Sequence, residues 1–346
     1  MTAGIPTFSS SLTRRSFLAL SGILGLNLVS LGLPVPSDAS KFSIKLHIVS
    51  MSNLGMGTYV NMTLLHGSRD AAQEALGLAY EEIARLSLLM NRHDASSPVS
   101  YLNNGGTLDD APLEVLDVIH SSMKFYQVSE GSFDITVKPA LDLYADSFKR
   151  KEQPPTEHEL DRVLHLLGSN KIQITGSTVS FARQGMGITL DSIAKGYIID
   201  RAMQVLRDNG IKHGLINAGG DIAMYGGKGV NKPWRVAIQD PWHPDRSINV
   251  IEMSTGAVAT SGNYEIFFDQ EKIYHHIISP ATGVPTGKIA SVSIKAANVM
   301  AADALATAVF VKGPRKGRQF IEKTPGIEGL IIKDNKKKMF SGQWTV

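Results

Sequence analysis

Apolar residues along this chain change their spacing again and again without settling into a regular strand–helix–strand rhythm. Helical spacing marks Ser68–Met90, where Leu76, Tyr80, Ile83, Leu86 and Met90 share one stripe. It returns at Leu113–Ser129, Leu160–Leu167, Ile193–Asn209 and Met300–Val311, the last ending at Gly313. Short alternating runs lie between these segments, at Ser43–Ser50, Tyr59–Leu65, Lys171–Ile174 and Thr178–Phe181. From Gly214 onward they dominate: Leu215–Asn217, Trp234–Ile238, Ile248–Met253, Ala257–Thr260, Ile266–Phe268, Ile273–Ile278, Leu330–Ile332 and Met339–Phe340. This mixture predicts an α+β fold of mostly antiparallel sheets packed with helices, not a doubly wound parallel sheet. No G-x-G-x-x-G links a strand to a helix and no G-x-x-x-x-G-K-[ST] occurs, which disfavours a dinucleotide fold or a P-loop.

Residues 1–39 read as a segment apart from that fold. Residues 1–17 carry no acidic side chain, and Thr13-Arg14-Arg15-Ser16-Phe17-Leu18 has the form of a twin-arginine export signal. The apolar run from Leu18 to Leu33 is short and glycine-containing for a spanning helix, and Pro34 and Pro36 end it. Ser37-Asp38-Ala39 supplies a small-x-small cleavage string. The expectation is a periplasmic protein whose working domain is 40–346. A formal charge of +3 is too small to suggest a nucleic-acid binder. Cysteine is absent, which removes disulfides, thiolate metal sites and cysteine nucleophiles. Any metal must therefore bind oxygen or imidazole.

Four segments carry candidate chemistry. Asp303 and Thr307 stand at i and i+4 in the predicted helix Met300–Val311, so a carboxylate and a hydroxyl share one face of an otherwise apolar helix. A hard cation such as Mg²⁺ suits that pair, and a capping or solvent-facing aspartate is the simpler alternative. Asn217-Ala218-Gly219-Gly220-Asp221 follows a short strand, and its glycines fit either a ligand-hugging loop or a tight turn. Asp191-Ser192-Ile193-Ala194-Lys195-Gly196-Tyr197 opens a helix, which offers an anion site beside Lys195 or simply an N-cap at Asp191 or Ser192. His275 and His276 fall in an alternating run that sends them to opposite faces, so at most one, His276, can share a site with Tyr274 and Ile278.

Taken in order, these segments resemble the ApbE family of FAD:protein FMN transferases. The resemblance includes Met56-Gly57-Thr58, Gly131-Ser132-Phe133-Asp134-Ile135-Thr136, Ala194-Lys195-Gly196-Tyr197 with Asp200, and Asn217-Ala218-Gly219-Gly220-Asp221-Ile222. It continues through Ala259-Thr260-Ser261-Gly262-Asn263-Tyr264-Glu265, His276-Ile277-Ile278-Ser279-Pro280 and Ala302-Asp303-Ala304-Leu305-Ala306-Thr307. It implies an ApbE-like fold with FAD in a cleft, and a Mg²⁺-dependent transfer of FMN from FAD to a Thr or Ser hydroxyl of an acceptor redox protein, releasing AMP. A membrane-associated acceptor fits that implication. By the same resemblance Asp303, Thr307 and the Ser192 carbonyl hold the metal. Met56, Ala194, Lys195, Asp221, Thr260 and Gly262 line the FAD site, and His276, Asp303 and Lys195 serve the reaction. Three positions depart from the family pattern. Thr189-Leu190-Asp191-Ser192 replaces the usual Asp-Leu-Gly-Gly, Ser279-Pro280-Ala281 replaces Asp-Pro-Arg, and His93 stands where tyrosine is common. These departures keep two rival readings in view, a periplasmic FAD-binding protein and a metal-dependent FAD pyrophosphatase.

Overall fold

The structure, a computed structural model, describes residues 46–229 and 231–344; the export-signal residues lie outside them. Strands β1 (His47–Gly55) and β2 (Thr58–His66) form a hairpin, followed by helix α1 (Arg69–Met90), whose N-cap is Ser68. Next come α2 (Pro98–Gly105), β3 (Thr107–Leu108), α3 (Leu113–Val128), α4 (Lys138–Lys151) and α5 (Glu157–Leu164). Strands β4 (Ile172–Thr175) and β5 (Thr178–Phe181), two of the alternating runs, pair antiparallel. Helix α6 (Ala194–Asp208) precedes β6 (His213–Ala218), β7 (Asp221–Tyr225), β8 (Trp234–Asp240), β9 (His243–Met253) and β10 (Gly256–Gly262). The chain closes with β11 (Ile289–Ala296), α7 (Val299–Lys323), β12 (Glu328–Lys333) and β13 (Lys338–Ser341).

Eight strands make one antiparallel sheet in the order β1-β2-β6-β7-β10-β11-β12-β13, and smaller sheets are built from β3-β5-β4 and β8-β9. This is the expected α+β architecture. The period-two alternation sorts side chains to two faces. Ala223, Ala257, Ala259 and Ile331 turn toward the helices α1, α6 and α7. Their neighbours Ile222, Met224, Val258, Leu330 and Ile332 turn the other way, onto Trp234, Val236 and Ile251 of the β8–β9 ribbon. The middle strands are therefore buried on both sides.

Several elements differ from the sequence expectation. Ile266–Phe268 and Ile273–Ile278 are not strands. They belong to an irregular excursion between β10 and β11, joined only by isolated bridges at Phe267–His275 and Ile278–Pro285. Its backbone groups pair locally instead, as where the His276 N–H donates to the Ile266 carbonyl and the Phe268 N–H to Tyr274. Helix α4 supports this excursion: Tyr144 stacks on Phe268 at 5.5 Å and lies 6.0 Å from Tyr274. Gly313 does end the regular helix, with φ of 77°, but Pro314 starts a further helical segment to Lys323.

Candidate functional site

A cleft of about 360 Å³ opens where α6, α7, the end of β10 and the β10–β11 excursion meet. The close meeting of the two helices depends on Gly196. A Cβ there would lie 2.6 Å from Met300 Cα and 2.7 Å from the Val299 carbonyl oxygen. Asp200, one turn further along α6, fixes the contact: its carboxylate accepts from the N–H groups of Val299 (2.8 Å) and Met300 (2.9 Å) at the start of α7. Burial outweighs those bonds and lifts the Asp200 pKa to about 6.

The start of α6 has no side-chain cap of its own. The N-cap position is Ile193, not Asp191 or Ser192. The capping carboxylate comes from α7 instead, because Asp303 Oδ2 accepts from the Gly196 N–H at 3.3 Å. The positive end of the α6 dipole therefore faces Asp303. Asp191, freed from capping, pairs with Arg92 Nε at 3.0 Å across the cleft mouth.

The Asn217–Asp221 segment resolves as a two-residue hairpin loop. Gly219 (φ 62°) and Gly220 (φ 98°) connect β6 to β7, with Ala218 opposite Asp221. The Asn217 side chain accepts from the Gly220 N–H at 3.0 Å. The effect of the turn is to deliver Asp221 onto the helix-facing side of the sheet, only 2% exposed. Lys195 Nζ lies 2.8 Å from Asp221 Oδ2. That oxygen has no aligned hydrogen-bond donor, and Oδ1 receives only a long bond of 3.4 Å from the Thr260 N–H.

Charge in the cleft is unbalanced. Burial alone would depress the Lys195 ammonium, but Asp221, Asp303 and Glu265 around it hold its pKa above the ordinary lysine value. One ammonium cannot serve three carboxylates. Burial and the nearby Asp221 charge raise the Asp303 pKa well above the usual carboxylate range, and burial raises Glu265 as well. Asp303 and Thr307 offer hard oxygens, and Ser192 lines the same cleft. Among the described residues no cluster of three His, Asp or Glu side chains can hold a metal. A cation here would complete its shell with carbonyl, water or phosphate oxygens, the donor set that Mg²⁺ prefers. The donor chemistry and the missing positive charge both fit Mg²⁺.

Lys195, Asp221, Thr260, Gly262, His276, Asp303, Thr307 and Ser192 all line the cleft. Met56 and Ala194 do not. Met56 sits in the β1–β2 turn with φ of 53° and packs on the main core, and Ala194 is buried at the first turn of α6. Thr260 turns its hydroxyl to Ser293 (2.7 Å), away from the helices. The hydroxyl facing α7 belongs to Ser261, 3.1 Å from Thr307 Oγ1. Sequence reasoning passed over Ser261, although strand parity with Ala257 and Ala259 carries the signal. Glu265, at the end of the Ala259–Glu265 motif, also lines the cleft.

The two histidines separate as the sequence predicts, though by loop geometry rather than strand alternation. His275 is buried and structural: Nδ1 accepts from the Ile277 N–H, so Nε2 carries the proton that it donates to the Thr286 carbonyl at 2.6 Å. His276 lines the cleft, with Nδ1 3.3 Å from the Ile266 carbonyl. Donation from Nδ1 leaves the Nε2 lone pair free. Desolvation lowers the His276 pKa, so the ring is neutral at pH 7.

The ApbE family model matches residues 56–331 of this chain. An FAD:protein FMN transferase of Vibrio cholerae is 32% identical over 239 residues, 67% of this chain and 68% of its own. One from Haemophilus influenzae is 30% identical over 301 residues, 83% and 87% of the two chains. Among solved structures, the ApbE protein of Thermotoga maritima matches with a TM-score of 0.78 and 28% identity, covering 85% of this chain and 97% of that one. The flavin transferase ApbE of Vibrio cholerae matches with a TM-score of 0.73 and 27% identity, covering 86% and 98%.

Proposed function

This chain belongs to the ApbE family, and from that premise we propose that it transfers FMN from FAD to a Thr or Ser hydroxyl of an acceptor protein, with Mg²⁺ bound and AMP released. The observation that carries this reading is convergence. Lys195, Asp221, His276, Asp303 and Thr307 come from four separate segments and line one cleft.

The reaction exchanges the phosphoanhydride bond of FAD for a phosphoester bond to the acceptor. The acceptor oxygen bonds to the FMN phosphorus, the pyrophosphate P–O bond breaks, and AMP departs with the bridging oxygen. His276 Nε2 takes the acceptor hydroxyl proton, which its lowered pKa and free lone pair allow. Lys195 stays charged beside Asp221 and meets negative charge on the phosphates. Asp303 and Thr307, with the Ser192 carbonyl, would hold the cation, which would supply charge neutralisation for the pyrophosphate and leaving group. Thr260 and Gly262 shape the FAD side of the cleft.

The string Thr13-Arg14-Arg15-Ser16-Phe17-Leu18 supports export to the periplasm by the twin-arginine route. An exported or membrane-bound redox protein is the acceptor class that suits that location. No helix among the described residues is long and apolar enough to cross a membrane.

The test is a reaction of the full chain with FAD, Mg²⁺ and Thr-containing acceptor peptides, resolved on a denaturing gel. Transfer leaves flavin fluorescence on the acceptor. Free FMN with AMP and a dark acceptor would mark a pyrophosphatase, and bound FAD with no AMP would mark a binding protein.

A further inference from the structure

A second cavity, about 620 Å³, lies beside the cleft and shares Asp142 with it. Its walls are the end of α2 with the Gly106 turn, the first turns of α4, and the segment from Phe181 to Gly187. We propose that this groove holds an extended segment of the acceptor protein, with an acidic side chain against Arg183, and so aims the acceptor hydroxyl into the cleft. The inference rests on the transferase reading and deepens it.

Three observations carry the proposal. First, the groove leads to the site. The wall containing Gly187 continues directly into Thr189, Asp191 and Ser192, which line the cleft. Asn103 makes that wall rigid by a double hydrogen bond to Ile188, accepting from its N–H (2.7 Å) and donating to its carbonyl (2.9 Å).

Second, the walls suit a peptide backbone. Gly106 and Gly185 adopt φ of 76° and 87°, conformations that disfavour other residues. A Cβ on Gly187 would press to 3.0 Å from Lys138 Cδ and 3.2 Å from Asn103 Oδ1. Gly106 donates its N–H to Leu102 and its carbonyl accepts from Phe181, and Gly187 is buried, so the backbone open to an extended chain is that of exposed Gly185, where no side chain stands over the groove.

Third, the charges are asymmetric. Lys138 is neutralised by Asp142, which also lies 3.9 Å from Arg92. Arg183 has no carboxylate partner among the described residues and bonds only the His165 carbonyl, at 3.0 Å. A guanidinium on an open polar wall matches a carboxylate on the occupant.

The test uses the full chain, FAD, Mg²⁺ and a displayed library of 13-residue peptides with a central Thr and all other positions random. Peptides that gain flavin are recovered and sequenced, and AMP is measured in the same reactions. The wild-type protein is expected to enrich Asp or Glu at least threefold at positions on one side of the Thr. Arg183→Glu is expected to lose that preference or exchange it for Lys and Arg, while its Kd for FAD stays within twofold. Arg183→Lys is expected to keep it. An unchanged acidic preference in Arg183→Glu, or none in the wild type, overturns the groove assignment while leaving transfer standing. A tenfold loss of FAD affinity in Arg183→Glu also overturns it, since the groove then holds part of the nucleotide. If no wild-type reaction labels any peptide, the transferase reading itself falls, and AMP without label identifies hydrolysis.

Discussion

The Lys195 ammonium lies 2.8 Å from the Asp221 carboxylate, joining the first turn of α6 to the strand that begins at the Gly219-Gly220 turn. The aspartate is almost wholly buried with Lys195 as the cation beside it, whereas the ammonium also has Asp303 and Glu265 nearby. Lys195→Met strands a buried carboxylate, whereas Asp221→Asn leaves the ammonium beside Asp303 and Glu265. Lys195→Met is expected to lose about 3–5 kcal/mol in urea unfolding at pH 7, and Asp221→Asn clearly less. The double variant is expected to lose less than the sum, because it leaves neither charge unpaired.

Gly196 sets the distance between α6 and α7. Gly196→Ala places a methyl 2.6 Å from Met300 Cα, backbone that cannot swing aside. The expected loss is about 1–3 kcal/mol, read as a lower midpoint in denaturant. Separation of the helices also moves Lys195 from Asp303, so AMP release at saturating FAD is expected to fall with it.

His276 is held neutral by desolvation, with its pKa below the ordinary 6.5. A base is active when deprotonated, so the rate is expected to be flat above pH 6.5 and to fall only in more acidic solution. His276→Gln is expected to abolish that acid limb and slow transfer by about 10²–10⁴-fold. An acid limb centred above pH 7 in the wild-type protein would remove His276 from this role.

Asp200 gives a pH signature of folding rather than of turnover. Its folded pKa is about 6 against an ordinary aspartate value of 3.8. Between those values the folded state binds the extra proton, so stability from this group is greatest in acid and falls as pH rises toward 6. A gap of about two units corresponds to about 3 kcal/mol. Asp200→Asn is expected to flatten the fall in unfolding free energy between pH 4 and 6 relative to the wild-type protein.

How far the sequence revealed this site follows from what each segment looks like in one dimension. Helices α1, α3 and α6 carry clear apolar stripes and stand where the spacing places them. Asp303 and Thr307 share a face because the i, i+4 rule is local. Helix α4 is hard to read in the sequence because half of Lys138–Lys151 is polar or charged, although Ala140, Tyr144 and Phe148 recur every fourth residue. Strand β11 escaped for the opposite reason: all its residues from Ile289 to Ala296 are buried, so no alternation marks it. The run Ile273–Ile278 does alternate, but its backbone groups bond within the excursion instead of joining the sheet. The pairing of Lys195 with Asp221 and the capping of α6 by Asp303 are tertiary facts that no local pattern carries.

The central claim is that the phosphoryl group passes to a protein hydroxyl. The most direct measurement weighs the acceptor by mass spectrometry after incubation with the full chain, FAD and Mg²⁺, and counts AMP in the same tube. The expected result is an acceptor heavier by FMN less one water, with one AMP for each flavin attached, and no reaction with Asp303→Asn. An acceptor of unchanged mass, whether beside free FMN and AMP or beside intact FAD, would contradict the account.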